Sequence, residues 1–104
     1  MGYDLNGQNG DFVCNNYTMH LLIEKMFQAT THQYEPLWKK FNDNSGRWVN
    51  SKWCSVLLKL AIRAKENTIA GDPYEDRDDE IHRWDEFIRF LESEVESNGG
   101  FSVN

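Results

Sequence analysis

NSKWCSVLLKLAIRAK, residues 50–65, is the stretch on which the fold turns. Trp53, Leu57, Leu60, Ala61 and Ala64 recur at the spacing of one helical face, and Cys54 and Leu58 widen that stripe. Lys59, Arg63 and Lys65 fall off it. Asn50 or Ser51 supplies the start, because a short polar side chain there accepts from the free N–H groups of the first turn. Ala70-Gly71-Asp72-Pro73 supplies the stop. A helix with one broad apolar face needs something to cover it, so the flanking sequence must provide further layers.

Downstream, Ile81, Trp84, Ile88, Leu91 and Val95 repeat the helical period with Phe87 beside them. Asp78 or Asp79 would cap this helix, and acids in its first turn complement the helix dipole. Asn98-Gly99-Gly100 ends it. Upstream, Asn16 would cap a helix from Tyr17 to about Ala29, with Tyr17, Leu21, Leu22, Ile23, Met26 and Phe27 on its apolar side. Pro36 suits the first turn of a fourth, short helix that would bury Leu37, Trp38 and Phe41, and residues 42–46 form a loop.

The two ends carry a different period. Met1, Tyr3 and Leu5 alternate with Gly2, Asp4 and Asn6, which predicts a strand. Asn6-Gly7 and Asn9-Gly10 are turn signals, and Phe12-Val13-Cys14 is a candidate second extended piece. Phe101-Ser102-Val103 alternates again and needs a partner strand. The expectation is one compact α+β domain over residues 1–104, mostly α. About four helices would pack in one layer-pair around Trp38, Trp53, Leu57, Trp84 and Ile88, with a small sheet formed by the N- and C-terminal strands.

Met1-Gly2, Asp4 and Gly7 at one end and Gly99-Gly100-Phe101 at the other resemble a small family of bacteria and phages. Its members open Met-Gly-Met-Asp-Val-Tyr-Gly and end near Ser-Gly-Gly-Phe. Phe12, Asn15-Asn16, Val49, Cys54, Leu57-Leu58, Trp84, Phe87 and Phe90-Leu91 extend the likeness, whereas Tyr17-Thr18-Met19-His20 replaces that family's Trp-rich run. The segment 92–98 is also longer than the family's spacing. The resemblance implies a bacterial or phage origin and carries no functional residues onto this chain.

Charge is the strongest functional signal. The net −6 is unevenly placed: residues 1–71 sum to +2 and residues 72–104 to −8. A block that acidic repels nucleic acid and attracts a basic surface. No stretch approaches the roughly 20 apolar residues of a membrane span. No basic start precedes an apolar run, so a cytoplasmic location, in a bacterial host cell, is expected. Cys14 and Cys54 are too few for a disulfide framework, although one bridge between them stays open.

Catalytic patterns are sparse. His20, His32 and His82 form no i, i+4 pair, the two cysteines stand forty residues apart, and no nucleophile elbow or phosphate loop is present. The predicted catalytic set, metal set and cofactor are therefore none. Asp72, Glu75, Asp76, Asp78, Asp79 and Glu80 place six carboxylates in nine residues, opposed by Arg77 alone. Calcium is one use of such a cluster, although the spacing is not that of an EF-hand. Helix capping and solvation are the plain alternative. The functional alternative is an anionic face, extended by Glu86, Glu92, Glu94 and Glu96, that docks on a basic protein. Trp48, beside Arg47, is a candidate interface anchor.

The expected function is a small acidic inhibitor of phage or mobile-element type. It would bind a protein partner through its anionic surface and block nucleic-acid handling, as an anti-CRISPR protein does, with no direct contact to nucleic acid or membrane. The alternatives are a metal-dependent or thiol enzyme using Cys14, His20 or the carboxylates, and an oligomeric structural protein.

Overall fold

The computed structural model describes residues 2–28 and 48–104. The expected helix after Pro36, with Trp38 and Phe41, the loop 42–46 and His32 lie outside them. Strand β1 (Gly2–Gly7) runs into β2 (Asp11–Asn15), then helix α1 (Asn16–Phe27). Strand β3 (Trp48–Val49) precedes α2 (Ser51–Ala70), α3 (Arg77–Glu96) and the last strand β4 (Phe101–Val103).

The sheet is antiparallel in the order β2-β1-β4-β3. It differs from the expected pair of terminal strands: four strands take part, one of them from the middle of the chain. Trp48 and Val49 are too short a pair to show a period, so they carry no strand signal of their own. They become a strand because Phe101 and Ser102 pair with them. Backbone bonds between Asp4 and Asn104, 2.8 and 2.9 Å, prolong the β1–β4 seam.

The register puts Tyr3, Leu5, Phe12, Cys14, Val49, Phe101 and Val103 on one buried face. Asp4, Val13 and Trp48 stand exposed on the other. The helices cover the buried face, and rings stitch the layers together. Phe12 lies 5.1 Å from Phe87 and 6.1 Å from Phe90, and Phe90 lies 5.2 Å from Phe101, all tilted. These are favourable aromatic geometries.

Three helices, not about four, are present among the described residues. Asn15 rather than Asn16 caps α1, its side-chain oxygen accepting from the Thr18 N–H at 2.7 Å. Asn50 caps α2 through the Trp53 N–H at 3.0 Å. Neither Asp78 nor Asp79 is the cap of α3. That helix begins at Arg77 after Asp76, which makes no side-chain cap, and the two aspartates sit inside its first turn.

Helix α2 buries most of its expected face, whereas α3 is rotated from its own. The buried residues of α2 are Cys54, Leu57, Ala61, Ala64 and Thr68, with Trp53 and Leu60 at the core's edge. Those of α3 include Glu80, Trp84, Phe87, Leu91 and Glu94, with Ile88 and Val95 at the edge. The side of α3 that carries the rings faces the sheet, and it takes two glutamates in with it.

Candidate functional site

Helices α2 and α3 form a hairpin, and the acidic segment is its tip. Asp72, Glu75 and Asp76 lie in the connection and Asp78 and Asp79 in the first turn of α3; all five are exposed. Among the described residues none of the five forms an ion pair. Arg77, in their midst, donates to the Gly71 carbonyl oxygen at 3.4 Å instead.

Glu80, the sixth member of the set, faces inward, with 7% of its surface exposed. Lys25 of α1 donates to both its carboxylate oxygens, at 2.7 and 2.9 Å. The Trp84 indole N–H reaches it at 3.1 Å, the Thr68 hydroxyl at 2.8 Å, and the Tyr74 hydroxyl completes the ring of donors. Thr68 also lies 3.0 Å from the Ala64 carbonyl oxygen, but a hydroxyl has one proton. The ionised carboxylate is the stronger acceptor for it.

Burial pushes the Glu80 carboxyl up, yet the donors from Lys25, Tyr74, Thr68 and Trp84 outweigh it and hold the pKa at about 2. Burial lowers Lys25, and Glu80 more than restores it, so its pKa ends above the ordinary value. Burial and the adjoining Glu80 raise Tyr74. Glu80 and Lys25 are held charged and Tyr74 is held as a neutral donor, which suits a structural clamp and not a proton shuttle working near pH 7.

The further extension of the anionic face breaks up in the same way. Glu94 is fully buried and accepts from the Asn9 backbone N–H at 2.8 Å and its side-chain amide at 3.3 Å, which pins the β1–β2 turn. A Cβ on Gly7 would stand 2.7 Å from the Gly10 carbonyl oxygen across the turn and 2.5 Å from Glu94 Oε1, so the turn closes over the carboxylate in this way with glycine there. Glu86 is shared by His82 at 2.7 Å and Arg83 at 3.4 Å, and Asp85 pairs with Lys65. Glu92 and Glu96 remain exposed.

Beside the tip opens a cavity of about 430 Å³ between α1 and the start of α3. Leu21, Leu22, Lys25 and Glu80 are among the residues that line it. Tyr17, 78% exposed, and Tyr74, 46% exposed, stand at its walls, and Asp76, Asp79 and Arg83 line its rim. The Lys25 ammonium lies 5.7 Å from the Tyr74 ring centroid.

Trp48 is not part of this corner. It precedes α2 whereas the acidic segment follows it, and a twenty-residue helix spans about 30 Å. Its half-exposed ring covers Gly100, where a Cβ would stand 2.8 Å from the indole.

Cys14 and Cys54 are unbridged and buried. Burial pushes their thiols up to about 11 and about 12, so neither is a thiolate near neutral pH. His20 is exposed and meets Tyr3 edge to face at 5.9 Å. Among the described residues no three His, Cys, Asp or Glu side chains converge as metal ligands, the acidic tip included.

Sequence reasoning missed Lys25, Tyr74 and the inward turn of Glu80. A signal existed. Glu80, Trp84, Phe87, Leu91 and Glu94 are spaced as one helical stripe, and so are Cys54, Leu57, Ala61, Ala64 and Thr68. The hairpin brings the polar end of one stripe against the polar start of the other.

No helix among the described residues is long and apolar enough to cross a membrane. Compared with protein-family models, curated proteins and solved structures, the chain matches none of them. The likeness of its two ends to a bacterial and phage family gains nothing from these comparisons.

Proposed function

We propose that this protein works by binding a protein partner with a basic surface, through the acidic tip of the α2–α3 hairpin. The observation that carries this reading is the set of five exposed carboxylates, Asp72, Glu75, Asp76, Asp78 and Asp79, with no internal cation partner among the described residues. The dipole of α3 favours acids in its first turn, worth about 0.3–1 kcal/mol each at the surface. That accounts for Asp78 and Asp79 but not for Asp72 and Glu75, which lie before the helix. Uncompensated like charges held together raise association rate and selectivity toward a complementary surface.

A partner that uses its basic surface to hold nucleic acid would be blocked by occupation of that surface. This is the inhibitor reading, with an anti-defence role in a phage or mobile element as its biological form. The thiol-enzyme alternative has no observation in its favour, because both thiols are buried and protonated.

The test is capture of a partner from a bacterial lysate by the wild type and by the Asp76→Lys, Asp78→Lys, Asp79→Lys triple variant. Capture by the wild type that weakens steeply with salt, is lost in the variant and is relieved by added DNA or RNA supports the reading. Capture that survives charge reversal at an unchanged melting temperature overturns it.

A further inference from the structure

We infer that the cavity beside the acidic tip is the anchor subsite for an arginine side chain of the basic partner, an inference that rests on the binding role proposed above. The cavity is a built concavity and not a bare acidic surface. Its volume of about 430 Å³ falls in the range of ligand-holding pockets, roughly 300–1,000 Å³. Its lining combines the aliphatic Leu21 and Leu22 with the rings of Tyr17 and Tyr74, which suit the stem and the planar head of arginine in turn.

Charge decides between a cationic and an anionic occupant. Lys25 spends its charge on both oxygens of Glu80, and Arg83 is 3.4 Å from Glu86. Asp76 and Asp79 have no cation among the described residues. Among the described residues that line the cavity, the charges left uncompensated are therefore negative.

Ring geometry then decides between arginine and lysine. Tyr74 is held by its hydroxyl bond to Glu80 and already has the Lys25 ammonium over its ring, which makes it a fixed wall. Tyr17, in the first turn of α1, is the open ring. A guanidinium stacks flat on such a ring while its remaining N–H groups reach a carboxylate at the rim; an ammonium does only one of these well.

The test uses two synthetic peptides of equal charge, hexa-arginine and hexa-lysine, titrated into the isotopically labelled full chain and followed by NMR. The expected result is saturable shifts at Leu21, Leu22 and Tyr74, and at least tenfold tighter binding of hexa-arginine. Tyr17→Ala should remove that preference and leave the residual, salt-sensitive binding common to both peptides. Asp79→Asn should weaken hexa-arginine more than hexa-lysine. Tyr17 is so exposed that its loss leaves the melting temperature unchanged, which keeps a folding defect out of the comparison. Equal affinity for the two peptides, indifference to Tyr17→Ala, or shifts that avoid the cavity each overturn the subsite. If the charge-reversed tip still abolishes partner capture in that case, the binding role stands without the subsite. If capture survives charge reversal, the binding role itself has failed.

Discussion

Glu80 shows how one residue can belong to an acidic cluster in sequence and to the core in space. Four neighbours donate to its carboxylate, and the pair with Lys25 joins α1 to the α2–α3 hairpin. Glu80→Gln leaves Lys25 without its counter-charge. The expected cost is about 2–3 kcal/mol, below the 3–5 kcal/mol of a fully buried pair because Lys25 still reaches water. The pH dependence follows from a folded pKa of about 2 against an ordinary 4.5. A depressed carboxylate contributes stability that is complete above 4.5 and is lost as pH falls through about 2. That contribution is on the order of 3 kcal/mol for a shift of this size. Lys25, raised above its ordinary 10.5, holds its share at every pH below that value. Urea unfolding of wild type and Glu80→Gln should therefore show a gap that is constant from pH 5 to 9 and closes between pH 4.5 and 2. A gap that persists at pH 2 would mean the side-chain shape, not its charge, holds the clamp.

At the scale of elements, the described helices were legible and the rotation of α3 was not. Periodicity located α2 to within a residue and α3 to within two or three, since apolar side chains at helical spacing leave few other solutions. It misjudged which flank of the α3 stripe turns inward. Ile81, Ile88 and Val95 look more apolar than Glu80 and Glu94, but the sheet presents rings, and rings on α3 meet them on the other flank. Burial of a glutamate depends on donors from elsewhere in the chain, Lys25 and Asn9 here, and no local window contains them. The stop signal at the end of α3 was read from local chemistry and the structure shows how it works. Asn98 adopts φ 56°, the Gly99 N–H donates to the Glu94 carbonyl oxygen at 2.8 Å, and the Asn98 N–H to that of Val95 at 3.2 Å. These are the paired bonds of a left-handed helix terminator. Asn98 Oδ1 also accepts from the Ser51 hydroxyl at 2.8 Å. Asn98→Ala should cost about 1–2 kcal/mol, from the left-handed penalty of a Cβ without a compensating local bond. Asn98→Gly should fall within about 0.5 kcal/mol of wild type, because glycine accepts the angle freely. Chemical denaturation of the two variants checks both values; equal losses would place the effect in the Ser51 bond instead.

Across the whole molecule, the acidic tip and the closing strand lie at different levels of legibility. The unequal charge of the two parts of the chain is plain in the sequence, and five of the six clustered carboxylates do face outward. The cavity beside them was invisible, because Tyr17, Leu21 and Lys25 come from a helix about fifty residues away. The sheet was half visible: its terminal strands alternate, but its order depends on β4 lying between β1 and β3. That position makes the whole fold depend on the last strand. Phe101 is fully buried, packs on Phe90 and pairs opposite both Gly7 and Val49. Phe101→Ala should cost about 3–5 kcal/mol, a large part of the 5–15 kcal/mol that holds a small domain together. Ser102→Ala, one residue on and facing the other side, should change stability by less than about 0.5 kcal/mol. If β4 ties the molecule into one cooperative unit, the Phe101→Ala loss appears equally in amide exchange of β1, β2 and α3, with an unchanged denaturant slope. Exchange that accelerates in β3 and β4 while β1, β2 and α3 keep wild-type protection would make the C-terminal strand a detachable edge, and the sheet a β1–β2 hairpin with an appended flap.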